Sequence, residues 1–311
     1  MIQVFKWVGN RYAPVEDIEP SCWVNIVNPT KQEVEKLSAE LSIPLDFLTD
    51  PLDADERSRI ENDEGVLLIV LRIPDYDEKN SEVPFITIPA GIILAKNDVL
   101  ITVCSSDINE LLELHIGKAK SIPSASKTGF FLRIFLRTAL LYLKFLKEIN
   151  RRTGEIEKEL QKSLKNEELI RLLNLEKSLV FFTTALKSNE LMMERLLKIK
   201  TLGLNEDDED MLEDVIVENK QAIEMANIYS NILSGMMDAF ASVISNNLNA
   251  VMKILTLITI ILMLPTLIVS FYGMNINLPF QHTPYSALIV LGMSVALSGA
   301  ALLFFRKKRW F

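Results

Sequence analysis

From Asn249 to Phe311 the chain carries no aspartate or glutamate. Its charges there are confined to Lys253 and the run Arg306, Lys307, Lys308 and Arg309. Within this section Ile254–Tyr272 and Ala287–Phe305 are each nineteen residues without a charge. As helices they reach about 28 Å at about 1.5 Å per residue, close to the hydrocarbon thickness of a bilayer. Two buried core helices are the alternative, but both runs are too long and too uniformly apolar for it. The chain as a whole has a net charge of −8 and this section is +5, so residues 1–248 carry −13. An acidic soluble part followed by an apolar membrane part is the first organisational fact. The opening MIQVFKWVGNRY has no long apolar stretch, so no cleaved signal is visible.

Orientation follows from the cations. Lys253 precedes the first run and Arg306–Arg309 follow the second, so both lie on one side, which the positive-inside rule makes cytoplasmic. The acidic part and both termini are then cytoplasmic, and Gly273–Ser286 faces outside. Cys22 and Cys104 are far apart and are expected to be reduced. His115 and His282 form no ligand cluster, so zinc held by side chains has no support.

Residues 1–125 read as mixed α/β. IQVFKWV, CWVNIV, GVLLIVLRIP, PFITIPAGIILA and DVLITVCS have strand character, and TKQEVEKLSAEL reads as a helix capped by Thr30. No glycine-rich phosphate loop, G-x-S-x-G turn or triad pattern occurs, so an enzyme is not expected. Residues 126–205 hold two long helical patterns joined by KNEE, which implies an antiparallel pair.

From about Asp210 a helical pattern continues without interruption. Ala222, Ala226, Tyr229, Leu233, Met236, Phe240, Val243 and Asn247 are spaced 4, 3, 4, 3, 4, 3, 4, a heptad seam. No proline occurs before Pro265, so the stalk, residues 206–253, runs directly into the first span, 254–272. One helix of about 60 residues is on the order of 90 Å long, too long for one compact domain. Its seam needs partners, either the preceding helix pair of the same chain or further copies. The remaining sections are the outer loop 273–286, the second span 287–305 and the basic tail 306–311.

Asn249, Met252, Thr256, Thr259, Met263, Thr266 and Ser270 are spaced 3, 4, 3, 4, 3, 4 along the first span, with Leu255 beside them. This is a semi-polar stripe on one helical face. Threonine and serine also bond back to their own helix in membranes, which would leave the stripe without a transport role. Two spans per chain cannot enclose a water path, whereas several copies around an axis can. Lys253 lies off the stripe, so such a path is uncharged. Magnesium dehydrates reluctantly, and neutral oxygens can bind it through its water shell. Met252 and Leu255 are suited to a hydrophobic constriction that gates by dewetting.

Tyr272-Gly273-Met274-Asn275 closes the first span, and here the chain resembles the CorA family of magnesium transporters. In that family a Gly-Met-Asn triplet ends the first of two C-terminal spans. SNNLNAVMKILTLIT is similar to the family's junction of stalk and membrane. At residue level the likeness is clear from about Ile232 to Asn275 and at the basic tail. The resemblance implies an α+β fold: a cytoplasmic mixed α/β domain and a long helical stalk continuous with the first of two transmembrane helices. It also implies a homopentamer shaped as a funnel. Asn275 would form the outer ring, and Asn249, Met252, Leu255, Thr256, Thr259, Met263 and Thr266 match the pore-lining face. Arg306, Lys307, Lys308 and Arg309 would ring the cytoplasmic mouth. Asp214 and Asp238, and more loosely Asp77, match acids through which the family senses cytoplasmic magnesium between subunits. Magnesium is then the transported and regulatory ion rather than a cofactor. The expected partners are further copies of the chain and the bilayer of the cell membrane, not nucleic acid.

Many family members carry acids in the outer loop, and INLPFQHTPYS has none, which weakens electrostatic concentration of cations at the entrance. Three functions stay open: a channel for magnesium, with cobalt or nickel; a zinc transporter of the same fold; and a membrane-anchored coiled-coil scaffold that conducts nothing. Zinc-type relatives usually alter the middle residue of the triplet, which here is Met274.

Overall fold

The structure is a computed structural model that describes residues 1–8, 11–77, 82–96, 98–112, 127–162, 166–199, 204–275, 278–280 and 283–308. It divides into two compact units, Met1–Met237 and Asp238–Phe311. The helix Glu206–Tyr272 contributes to both.

The first unit is built on a seven-stranded sheet. In chain order its strands are β1 (Ile2–Val8), β2 (Arg11–Val15), β3 (Cys22–Val27), β4 (Arg59–Asp63), β5 (Val66–Tyr76), β6 (Phe85–Leu94) and β7 (Leu100–Cys104). Their spatial order is β2-β1-β3-β7-β6-β5-β4. Every pairing is antiparallel except β3 with β7. The helices are α1 (Lys31–Leu41), α2 (Leu45–Thr49), α3 (Ile108–Leu111), α4 (Lys127–Lys162), α5 (Asn166–Leu196), α6 (Glu206–Tyr272) and α7 (Ser286–Lys307).

The sheet is covered on both faces, which is why its central strands are nearly continuous apolar runs. Because side chains alternate along a strand, β5 serves two cores. Val66, Leu68 and Val70 join Val34, Leu37, Phe47 and Leu48 of α1 and α2. Leu67, Ile69, Leu71 and Ile73 join Phe131 and Phe135 of α4, Met192 and Met193 of α5, and Leu212, Val215 and Ile216 of α6. Thr30 caps α1 as its sequence predicts: its hydroxyl accepts from the Glu33 N–H at 3.4 Å, and the Glu33 carboxylate accepts from the Thr30 N–H at 2.7 Å. The two edge strands carry no sequence signal of that kind. β2 contains Pro14 and β4 reads RIEND, and edge strands tolerate proline and charge where central strands do not.

Polar side chains tie neighbouring elements together. Asn25 and Thr102, paired in register across β3 and β7, are fully buried. The Thr102 hydroxyl accepts from Trp23 Nε1 and donates to Asn25 Oδ1, both at 3.0 Å. Asn189 of α5 treats β5 as a strand would. Its Oδ1 accepts from the Arg72 N–H at 3.0 Å, and its Nδ2 donates to the Arg72 carbonyl at 2.8 Å.

The heptad row of α6 extends earlier than Ala222. Leu212, Val215, Asn219, Ala222, Ala226 and Leu233 are buried within the first unit. Their partner is α5, met antiparallel: Asn219 Nδ2 donates to the Leu186 carbonyl at 3.0 Å and the Ser234 hydroxyl to Glu176 at 2.7 Å. The intrachain partner therefore accounts for the seam as far as Leu233. Beyond it Phe240 is half-buried, and Val243 and Asn247 are exposed.

Gly91 of β6 lies under the ring of Pro51. A Cβ at this position would sit 2.4 Å from Pro51 Cγ and 2.9 Å from its Cβ. Gly91→Ala is expected to cost about 1–3 kcal/mol through overpacking, read as a lowered melting temperature of the full-length protein in detergent. An unchanged melt would show that the Pro51 turn yields freely.

Candidate functional site

In the second unit the apolar part of α6 and α7 are long and apolar enough to cross a membrane. Little of their surface is buried: Leu262 is 66% exposed and Leu303 66%, which suits lipid contact and not a soluble core. The buried residues of these spans are Leu257, Ile268 and Ser294. The two helices meet where Ser298 of α7 donates its hydroxyl to the Ile261 carbonyl of α6 at 3.4 Å.

That hydrogen bond has a specific cause. α6 continues through Pro265, whose ring nitrogen carries no proton. Four residues earlier, the Ile261 carbonyl therefore lacks its helical donor, and in hydrocarbon no water replaces it. Ser298 supplies the missing donor from the neighbouring helix. Pro265 was legible in the sequence only as a late helix interruption. The serine that compensates it becomes identifiable only once the hairpin packing is known.

The semi-polar stripe lies on another face. At about 100° per residue, its centre is roughly 140° round α6 from the line through Leu257, Ile261, Leu264 and Ile268. Asn249, Thr256, Thr259, Thr266 and Ser270 are exposed. Met252 is 51% exposed, Leu255 55% and Met263 64%, against 4% for Leu257 and 8% for Ile268. The chain's own second span thus leaves the stripe uncovered.

All three threonines bond back to their helix: Thr256 donates to the Met252 carbonyl at 2.8 Å, Thr259 to Leu255 at 2.9 Å and Thr266 to Leu262 at 3.0 Å. Back-bonding satisfies the hydroxyl proton inside the helix and leaves the oxygen's acceptor capacity outward. The stripe is thereby an acceptor surface.

At the end of α6 the Gly273 N–H donates to the Val269 carbonyl at 3.0 Å and the Met274 N–H to the Phe271 carbonyl at 3.3 Å. The last turn thus extends past Tyr272 and presents Met274 and Asn275 exposed beyond it. The Tyr272 hydroxyl donates to the Pro279 carbonyl at 3.2 Å, which ties the returning loop to the helix end. A Cβ on Gly273 would meet Val269 O at 3.4 Å, an ordinary contact, so nothing within one chain demands glycine there.

The remaining predicted residues are dispersed. Asp77 follows β5, where its N–H closes the hairpin on the Pro84 carbonyl at 3.0 Å. Asp214 and Asp238 are exposed on α6. Among the described residues no three His, Cys, Asp or Glu side chains gather in a way that could hold a metal ion. Arg306 and Lys307 occupy the last turn of α7 and Lys308 its C-cap, where cations favour the helix dipole. Arg309, His115 and His282 lie outside the described residues.

Residues 19–307 match the family model described as CorA-like Mg2+ transporter protein. The chain belongs to the CorA family. It is 30% identical over 294 residues to the cobalt/magnesium transport protein CorA of Methanocaldococcus jannaschii, covering 93% of this chain and 90% of that protein. The CorA protein of Thermotoga maritima, also called a cobalt/magnesium transport protein, is 24% identical over 302 residues, covering 96% and 85%. In three dimensions the complete CorA magnesium transporter structure from M. jannaschii superposes with a TM-score of 0.84 at 25% identity, covering 100% of this chain and 99% of that one. The α+β CorA fold expected from the sequence is thus the fold of this chain: a mixed sheet domain, a long helix and a C-terminal apolar helix.

Ser298→Ala is expected to lose about 0.6–2 kcal/mol by leaving the Ile261 carbonyl unpaired. Pro265→Ala restores the helical donor, so in that background the serine deletion should cost little. A double-mutant cycle of melting temperatures in detergent measures this, and additive losses would remove Ser298 from the role given it.

Proposed function

We propose that this CorA-family chain is an oligomeric, ion-conducting membrane protein that passes hydrated Mg2+, with Co2+ or Ni2+ as further cargo, and is not an enzyme. The observation that carries the reading is the acceptor-bearing face of α6, uncovered by α7 and ended by Asn275. A hydrated dication presents water protons outward, and threonine oxygens whose own protons are spent on the helix accept them. Carboxylates in their place would hold the ion more tightly than conduction allows. The names of the relatives, magnesium and cobalt transport proteins, agree with this cargo.

Further copies of the chain complete the path. One hairpin encloses nothing, and α6 displays apolar side chains with no partner in the chain: Ile228 is 54% exposed, Ile232 49% and Val243 44%. We assign these to contacts between copies, five by the family's pattern, with Met252 and Leu255 at the narrow cytoplasmic end. Arg306–Arg309 and both termini face the cytoplasm of the cell membrane. Asp77, Asp214 and Asp238 bind regulatory magnesium across neighbouring copies. Bound ion favours the closed state only by its differential affinity for it.

Uptake needs no reaction chemistry. An inside-negative potential of about 100 mV is worth roughly 4.6 kcal/mol to a dication, an accumulation of more than about a thousandfold.

Purified protein in liposomes loaded with a magnesium-sensitive dye tests the reading. Under an inside-negative potential with low internal magnesium, the wild type should admit Mg2+ and Asn275→Ala should slow entry by about tenfold or more, as loss of a polar ligand worth about 1.4 kcal/mol implies. A silent wild type under these conditions would overturn magnesium conduction.

A further inference from the structure

We propose that a cleft beside α5 binds a soluble nucleoside polyphosphate, its phosphates on Arg57, Arg72 and Lys187 and its base against Phe181. The cleft has a volume of about 660 Å³ and lies among the Ala54–Arg57 segment, β5, β6 and α5. Small-molecule sites span roughly 300–1,000 Å³.

Charge marks the site. Three cations line it, and Asp55 is the one carboxylate among its lining residues. Several arginines of this acidic unit pair with carboxylates: Arg59 with Asp50, Glu56 and Glu61, and Arg151 with Glu148 and Glu155. Arg57 and Lys187 are exposed and make no ion pair or side-chain hydrogen bond among the described residues.

Arg72 is the stronger sign. Its guanidinium is directed at neutral oxygens only: Nε to the Thr87 hydroxyl at 3.1 Å, Nη1 to the carbonyls of Ala54 at 2.9 Å and Glu56 at 2.6 Å, and Nη2 to the Thr87 carbonyl at 2.7 Å. Four of its five donors are thereby fixed in place and the fifth has no acceptor among the described residues. Partial burial lowers its pKa, against the opposing pull of Tyr142 and Asp55. Because Asn189 and Tyr142 also grip the Arg72 backbone, this cation is held rigidly at the cleft.

Exposed apolar side chains stand among these cations: on α5, Lys187 lies between Phe181, 45% exposed, and Leu191, 61% exposed, and Val180 is 54% exposed. Cations beside an exposed aromatic ring and aliphatic side chains suit a ligand that is polyanionic in one part and flat and apolar in another. The walls come from the sheet and α5, which are not among the helices apolar enough to enter a membrane, and this favours a soluble anion over a lipid. Three cations against one carboxylate give the lining a net positive charge, which favours the metal-free polyanion over its magnesium complex, since the complex carries two fewer negative charges.

Calorimetric titration of the full-length protein in detergent with ATP in EDTA tests the proposal. Saturable binding is expected, weakened about tenfold or more in Lys187→Glu and in Arg57→Glu, several-fold in Phe181→Ala, and weakened by excess Mg2+. Melting temperatures check that each variant is folded, with Lys187→Gln as the milder substitute if the reversal is not. Inorganic tripolyphosphate should bind more weakly than ATP. No saturation at millimolar ATP, or charge reversals that bind like the wild type, would overturn the site. Equal binding of tripolyphosphate would overturn the nucleoside assignment, and displacement of ATP by a short-chain anionic phospholipid would overturn the soluble one. The assay reads binding and not flux, so it stands whichever ion the protein passes.

Discussion

A bilayer offers no water to a backbone carbonyl, and the second unit is organised around that constraint. α6 can cross only as a continuous helix, so the single break in its hydrogen-bond ladder, at Pro265, has to be answered. Ser298 answers it with a hydroxyl from α7, and the same contact fixes which face of α6 the second span covers. Leu257 and Ile268 are buried and the semi-polar stripe is left out. The threonines of that stripe obey the same rule by donating to their own helix. Back-bonding and a role in solvating cargo are therefore compatible: the proton stays with the helix and the acceptor faces outward.

The first unit uses α6 differently. There its heptad row is met by α5, with Ala222 and Ala226 buried and Asn219 donating to the Leu186 carbonyl. After Leu233 the intrachain partner ends while the apolar pattern continues. An amphipathic helix left half-covered has a surface that a second copy can bury, which is how the CorA-family reading and the packing of one chain come together.

Much of this was legible in the sequence. Charge-free runs identify the two helices apolar enough to cross a membrane, and the absence of proline before Pro265 accords with one helix over Glu206–Tyr272. Alternation and turn residues identify the five inner strands, because a sheet buried on both faces must be apolar throughout. The edge strands β2 and β4 escape that logic, since their solvated sides admit Pro14 and the charges of RIEND. The stripe on α6 could be counted from spacing, but its exposure could not, because periodicity does not say which face a neighbouring helix covers. Ser298 and the rigid placement of Arg72 were hidden for the same reason: each depends on a contact between elements distant in sequence.

The central claim is that the face of α6 opposite α7 borders water in the membrane. Single cysteines at Thr256, Thr259 and Met263, compared with Leu257 and Ile268, test it most directly, since native Cys22 and Cys104 are buried. With the protein in liposomes, a small charged thiol reagent should modify the first three positions and spare the last two. Protection of all five, or reaction at Leu257 and Ile268 instead, would contradict a water path along this face.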